Sequence, residues 1–304
     1  MRHLWLLMLA GCTAVTPLPA TLPPSWAGAE APELWARSSG EIREALDVCV
    51  RHNLRTVRIV VRESFGECKD VEGPLGTWHD EILERIDVVL REAAPRGVRI
   101  IVAMHDGRNR ADEYAKSYPN AFYTDTGSRA AFRRRIKHIL EHRDWGSLAH
   151  VTWEVQVQAD WRLAIDWTED MANYVKMIAG AAKTAASVDF VTFGGLSTQL
   201  LESSPSVDLW TYAPSSQEPL DAAAIALSKK LKPQKKQWIL VGAGSPRGNP
   251  QLARRTLEAA IAVARRHEVP WLFASLGHDT HEASTDQWPG DVIFDSVIAP
   301  AARP

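Results

Sequence analysis

Arg96-Gly97-Val98-Arg99-Ile100-Ile101-Val102-Ala103-Met104-His105 opens on a break and continues as a short run of β-branched and apolar residues, Val98 to Met104. A run of that length bounded by glycine reads as a buried strand. Directly before it, Trp78 to Ala94 carries helical periodicity, and Gly97 marks where that helix stops. A helix that ends on glycine and passes at once into a buried strand is one period of a βα repeat around a parallel sheet.

The same alternation extends in both directions. On the N-terminal side, Gly40 to Asn53 places Ile42, Ala45, Leu46, Cys49 and Val50 at helical spacing, and Thr56 to Val61 follows as a strand. On the other side, Ser128 to His142 is a basic amphipathic helix before a strand at Val151 to Gln158, and Trp167 to Thr184 is a helix before a strand at Asp189 to Phe193. Asp208 to Tyr212, Trp238 to Gly242 and Trp271 to Leu276 are further strands, with helices at Leu220 to Leu231 and Leu252 to His267 between them. A first strand near Trp26 to Glu30 completes eight βα units. The pattern predicts an α/β fold, a closed (β/α)8 TIM barrel over residues 26–304; an open doubly wound sheet fits the alternation too, but eight units in roughly 270 residues favour closure. Gly242-Ala243-Gly244-Ser245 lacks the third glycine of a dinucleotide fingerprint and reads as a turn after a strand.

Composition bounds the partners. Of 304 residues, 45% are hydrophobic and 24% charged, which suits a globular chain with a large core. A net charge of -2 gives no bulk attraction to nucleic acid, and Arg133-Arg134-Arg135 and Lys235-Lys236 read as solvated helix or linker faces, so no nucleic-acid partner is expected.

The first residues read as an address. Arg2 and His3 precede an apolar run, Leu4 to Gly11, too short to span a bilayer. Leu9-Ala10-Gly11-Cys12 resembles the lipobox of bacterial lipoproteins. That resemblance implies a signal peptide over residues 1–11, lipidation of Cys12, and a chain exported and anchored by lipid to the outer membrane or cell surface. Residues 12–25 hold Pro17, Pro19, Pro23 and Pro24 and no charge, the composition of an extended tether. Export would permit a Cys49–Cys68 disulfide, but the two positions fall near opposite ends of a barrel, so two free thiols are expected.

Several segments, taken in order, resemble glycoside hydrolase clan A, particularly the family 5 cellulases and mannanases. Leu54 to Ile59 is similar to that family's second strand and Arg96 to His105 to its third. Phe122-Tyr123-Thr124-Asp125, the following helix and Val151-Thr152-Trp153-Glu154-Val155-Gln156 resemble the run into its Trp-Glu-x-x-Asn-Glu-Pro signature. The resemblance implies an acid/base glutamate at position 158 and a nucleophilic glutamate at the end of the seventh strand. Here those positions hold Gln158 and Ala243. The second departure does not depend on alignment, because no Asp or Glu occurs between Asp221 and Glu258. A retaining glycosidase needs two carboxyl groups about 5 to 5.5 Å apart, one to protonate the leaving oxygen and one to attack the anomeric carbon.

The resemblance therefore implies a glycoside-hydrolase-like envelope lipoprotein that binds oligo- or polysaccharide without hydrolysing it. Its sugar-contacting candidates are Arg58, His105, Gln158, Trp161, Trp210 and Tyr212. Of the 12 tryptophans, Trp153, Trp238 and Trp271 lie in apolar strand runs and read as core, while Trp161, Trp167, Trp210 and Trp288 fall near loop ends, where a sugar ring stacks. An active glycosidase with displaced carboxylates, Asp160 foremost, and a structural envelope protein without ligand are the alternatives. Glu30, Glu63, Asp106, Asp160 and Asp279 all fall near strand C-termini, where barrel enzymes keep their working groups. His278-Asp279-Thr280-His281-Glu282 with His105 and Asp106 match no familiar metal spacing; no metal and no cofactor are expected, and the chain is expected to be a monomer.

Overall fold

The computed structural model describes residues 26–61, 70–105, 122–155, 165–180, 182–188, 200–213, 220–243, 250–274, 291 and 294–303. Residues 1–25, with Cys12 and the proline-rich stretch, lie outside them, as do Cys68, Gln158, Asp160, Trp161, Trp288, Asp106 and residues 278–282.

Eight parallel strands pair in chain order and close into a barrel. They are β1 (Ala27–Glu30), β2 (Leu54–Val60), β3 (Arg99–Ala103), β4 (Val151–Glu154), β5 (Lys183–Val188), β6 (Leu209–Tyr212), β7 (Gln237–Ala243) and β8 (Trp271–Ala274). Closure is made by β1 on β8, with Glu30 opposite Ala274. Around the barrel run α1 (Ser39–Arg51), α2 (Asp80–Ala93), α3 (Thr126–Glu141), α4 (Ile165–Ala179), α5 (Leu220–Leu231) and α6 (Pro250–Arg266).

The helices start and stop where their ends find partners. Ser38 caps α1 with a capping box: its Oγ accepts from the Glu41 amide and its own amide donates to the Glu41 carboxylate. Asp125 caps α3 by a single side-chain bond, accepting from the Ser128 amide at 2.9 Å. α1 turns Ile42, Ala45, Leu46 and Cys49 inward at helical spacing, as the sequence predicts. Cys49 carries a free, buried thiol, and burial pushes its pKa up to about 12, so it stays protonated and unreactive.

Side chains on each strand alternate between two cores. One set, including Val57, Ile59, Ile100, Val102, Trp153, Trp210, Tyr212, Trp238 and Leu240, fills the layer between sheet and helices. The other, Trp26, Ile101, Ala185, Leu209, Ile239, Val241 and Leu272, fills the barrel itself. This is the period of two expected of strands, and it makes the barrel a packed solid rather than a channel. Gly28 on β1 is part of that packing: a Cβ there would stand 2.4 Å from Leu272 Cδ2 and 2.4 Å from the Thr56 carbonyl oxygen.

One strand differs from the sequence reading. The fifth strand is Lys183–Val188, not Asp189 to Phe193, and the preceding helix ends at Ala179 rather than running to Thr184. Gly180, at φ 60, takes the left-handed conformation that terminates α4, and the chain enters β5 almost at once. Lys183, Thr184 and Ala185 pair with Thr152, Trp153 and Glu154 of β4. Residues 189–193 lie outside the described residues.

After β8 the chain returns to the starting helix. Phe294 packs edge-on against His52 and Phe273, and the Asn53 side chain donates to the Ala302 carbonyl at 2.8 Å. Among the described residues no helix is long and apolar enough to cross a membrane.

Candidate functional site

In a barrel of this kind the strand C-termini converge on one mouth. Above the apolar fill, the inward positions change character: Glu30 ends β1, Arg58 lies on β2, Glu154 ends β4 and Thr211 lies on β6. These four form one hydrogen-bonded group. Arg58 donates from Nε to Glu154 Oε2 and from Nη2 to Glu154 Oε1, both at 2.7 Å, and from Nη1 to Glu30 Oε1 at 2.6 Å. The Thr211 hydroxyl donates to Glu154 Oε1 at 2.6 Å. Val60 and Ala103 supply a small apolar wall beside them.

Electrostatics fix the role of each member. Burial alone would lower the Arg58 pKa, but the charges of Glu154 and Glu30 and their hydrogen bonds outweigh it, holding the guanidinium above its ordinary value and charged throughout. Glu154 is fully buried, with one oxygen taken by Arg58 and the other shared by Arg58 and Thr211. The Glu30 side chain is 14% exposed against 0% for Glu154, so Glu30 is the carboxylate of the pair with a solvent-facing side.

The end of β7 is shaped to match. The pairing of β7 with β8 shifts register between Leu240 and Ala243, and Gly242 adopts φ 70, a conformation costly for residues with a Cβ. A Cβ at Gly242 would lie 3.7 Å from Glu30 Oε2. The strand closes on Ala243 and contains no carboxylate along its length.

The sequence-predicted contacts divide. Arg58 faces the mouth interior. Trp210 and Tyr212 do not: both are fully buried in the layer between sheet and helices, and Tyr212 packs edge-on against Trp238. The reason is phase. Thr211 faces inward to Glu154, so its neighbours on either side of the strand must face outward. His105 follows the end of β3 and is buried against Phe122 and Phe132, ring centroids 5.1 and 5.7 Å away, in an aromatic cluster that also holds Tyr123 and Trp167. Trp167 is thus a packing residue and not a groove residue. Trp153, Trp238 and Trp271 are core, as predicted. Gln158, Asp160 and Trp161 lie outside the described residues.

Sequence reasoning missed the Arg58–Glu154 pair and Thr211. The alternation Leu209, Thr211, Ala213 against Trp210, Tyr212 was the available signal: one set had to face in, and the large aromatic pair is the natural filler of the wider outer layer. Behind the mouth, Arg135 of α3 is fully buried and donates from Nε to the Met104 carbonyl at 2.9 Å and from Nη2 to Asp70 at 2.5 Å, fixing the chain where it leaves β3. Among the described residues no group of three or more His, Cys, Asp or Glu side chains is arranged to hold a metal ion.

No protein-family model and no curated protein matches the chain. Solved structures do. The endo-1,4-beta-mannanase of Rhizomucor miehei superposes with a TM-score of 0.71 at 14% identity, covering 91% of this chain and 93% of that one. A variant of the glycoside hydrolase family 5 mannosidase of the same organism gives 0.73 at 10% identity over 92% of both chains. XacCel5A, solved with cellopentaose, gives 0.61 at 14% identity, covering 91% of this chain and 99% of that one. At this level of identity the likeness is one of architecture: the chain has the (β/α)8 barrel of the family 5 mannanases and cellulases.

Proposed function

We propose that this chain is a glycoside-hydrolase-like cell-envelope lipoprotein that binds a β-linked oligo- or polysaccharide at the mouth of its barrel and does not hydrolyse it. The observation that carries this reading is β7, which ends on Gly242 and Ala243 and has no carboxylate within reach along the chain. Two-carboxylate chemistry requires a nucleophile at the anomeric carbon and an acid at the leaving oxygen. With Ala243 and Gln158 at the positions that the family resemblance assigns to those groups, neither role is filled, since an amide has no proton to give. Glu154 is no substitute, because its oxygens are engaged by Arg58 and Thr211 and its side chain is fully buried. Ground-state affinity does not need either group, since binding a sugar and stabilising its transition state are separate quantities.

The glycan class is drawn from the architectural neighbours, two of which are named for mannan or mannoside chemistry and one of which was solved with cellopentaose. The test uses the full-length lipoprotein in detergent, on an array of β-mannan and β-glucan oligosaccharides, beside a reducing-sugar assay. Binding without release of reducing ends is expected. Turnover abolished by Asp160→Asn would overturn the non-catalytic reading, and absence of binding to any arrayed glycan would overturn the carbohydrate-binding one.

A further inference from the structure

Of the two carboxylates on Arg58, only Glu30 has an open side, and its position relative to β7 is specific. Oε1 is held by Arg58 Nη1 at 2.6 Å, which fixes the rotation of the carboxylate. Oε2 lies 3.7 Å from where a Gly242 Cβ would be, beside the last turn of a strand that carries no carboxylate of its own. Gly242 takes its left-handed conformation beside the register shift of β7 on β8, and Glu30 lies against this stretch.

We infer that Glu30 is a ligand-facing carboxylate of this barrel, delivered from β1 to the place beside the end of β7 where the strand itself offers none. The inference rests on the carbohydrate-binding reading and adds to it a residue and a ligand chemistry. A carboxylate held at one oxygen by a buried guanidinium presents the other as a fixed acceptor, and hydrogen bonds to a charged acceptor are the strong kind. Its natural donors are the hydroxyls of a neutral hexose unit. A uronic acid unit is disfavoured, because Glu30 and Glu154 already place two carboxylates on the single guanidinium of Arg58.

The test is a double-substitution cycle of Glu30→Gln and Ala243→Glu in the full-length lipoprotein, read by thermal unfolding and by calorimetric titration with mannopentaose and cellopentaose. Gln at position 30 can still accept from Arg58, so that variant should fold. It should bind whichever oligosaccharide the wild type binds about tenfold more weakly, the equivalent of roughly 1.4 kcal/mol. Ala243→Glu alone returns a carboxylate to the end of β7, one residue past the Gly242 position that lies 3.7 Å from Glu30 Oε2, and should lower Tm; in the Glu30→Gln background the same change should lower it less than half as far. Additive Tm shifts, with glycan binding intact, would overturn the placement of Glu30 alone. Unchanged affinity in Glu30→Gln would overturn its ligand role. A wild type that binds neither sugar would overturn that role together with the carbohydrate reading.

Discussion

Arg58 on β2 holds Glu154 on β4 in a two-point grip, Nε to Oε2 and Nη2 to Oε1, both at 2.7 Å and both away from solvent. A buried ion pair of this geometry is weak evidence of net stabilisation, since both charges were desolvated to make it, but removing one partner strands the other. Glu154→Gln keeps the shape of the side chain and discards its charge. It should destabilise the fold by about 3 kcal/mol in urea unfolding, the low end for a broken buried pair, because Glu30 still offsets part of the Arg58 charge. A variant as stable as the wild type would mean that the pair is not closed to water.

Gly28 makes a prediction of a different kind, because the obstacle to a larger residue is partly backbone. The added methyl of Gly28→Ala would stand 2.4 Å from the Thr56 carbonyl oxygen and 2.4 Å from Leu272 Cδ2. The side chain can turn aside; a carbonyl paired within the sheet cannot. The expected cost is about 1–3 kcal/mol, as for other overpacked cores. Trimming Leu272 to Ala in the same chain should fail to restore the urea midpoint, and full recovery would show that the side chain was the only obstacle.

Residues 80–103 were legible because their pattern is redundant: the helix, the glycine stop at Gly97 and the apolar strand all agree. The fifth strand was misplaced for a physical reason. Lys183-Thr184-Ala185-Ala186-Ser187-Val188 has little β-branched character, and Ala185 is small because it packs into the barrel interior, where layers of side chains compete for space. At the mouth, Arg58 was readable from resemblance and Glu30 from its place at a strand end, but their pairing with each other and with Glu154 was not. Glu30 and Glu154 lie 28 and 96 residues away along the chain, and only the register of Glu30 against Arg58 and of Glu154 against Ala103 brings them together. Trp210 and Tyr212 were read by residue type when the phase of their strand decides where they point.

The end of the barrel opposite the mouth carries a pH response. His150, just before β4, donates from Nε2 to the Leu90 carbonyl at 3.0 Å. Burial pushes its pKa below the ordinary value and the nearby Arg99 charge adds to this, against the opposing pull of the Leu90 carbonyl. The folded protein therefore keeps His150 neutral in a range where the unfolded chain binds a proton. Stability is full above the unfolded pKa, about 6.5, and falls as pH drops below it. His52, whose pKa is also lowered chiefly by burial, acts in the same direction. Between pH 7.5 and pH 5.5, His150→Gln should lose less stability than the wild type while His52 maintains a residual slope. Parallel stability curves for the two proteins would remove His150 from the account.

The proposed anchor is tested outside the barrel. If Cys12 is lipidated, the acyl chains hold the protein at a membrane surface through the uncharged, proline-rich residues 13–25, a segment whose composition favours extension over packing. One acyl chain gives only marginal membrane binding, whereas the several chains of a lipidated N-terminal cysteine give a stable anchor. Nothing in the barrel is asked to contribute, since no helix among the described residues is suited to crossing a bilayer. Cys12→Ala removes the acceptor thiol and leaves in place the apolar run Leu4 to Gly11, the proposed export signal. The variant should leave the detergent-soluble membrane fraction and lose its labelling by a fatty-acid probe, with the unfolding midpoint of the barrel unchanged. Wild type that takes up no label, or a Cys12→Ala variant that fractionates with membranes as the wild type does, would show that the cysteine is incidental and that any attachment is made by another part of the chain.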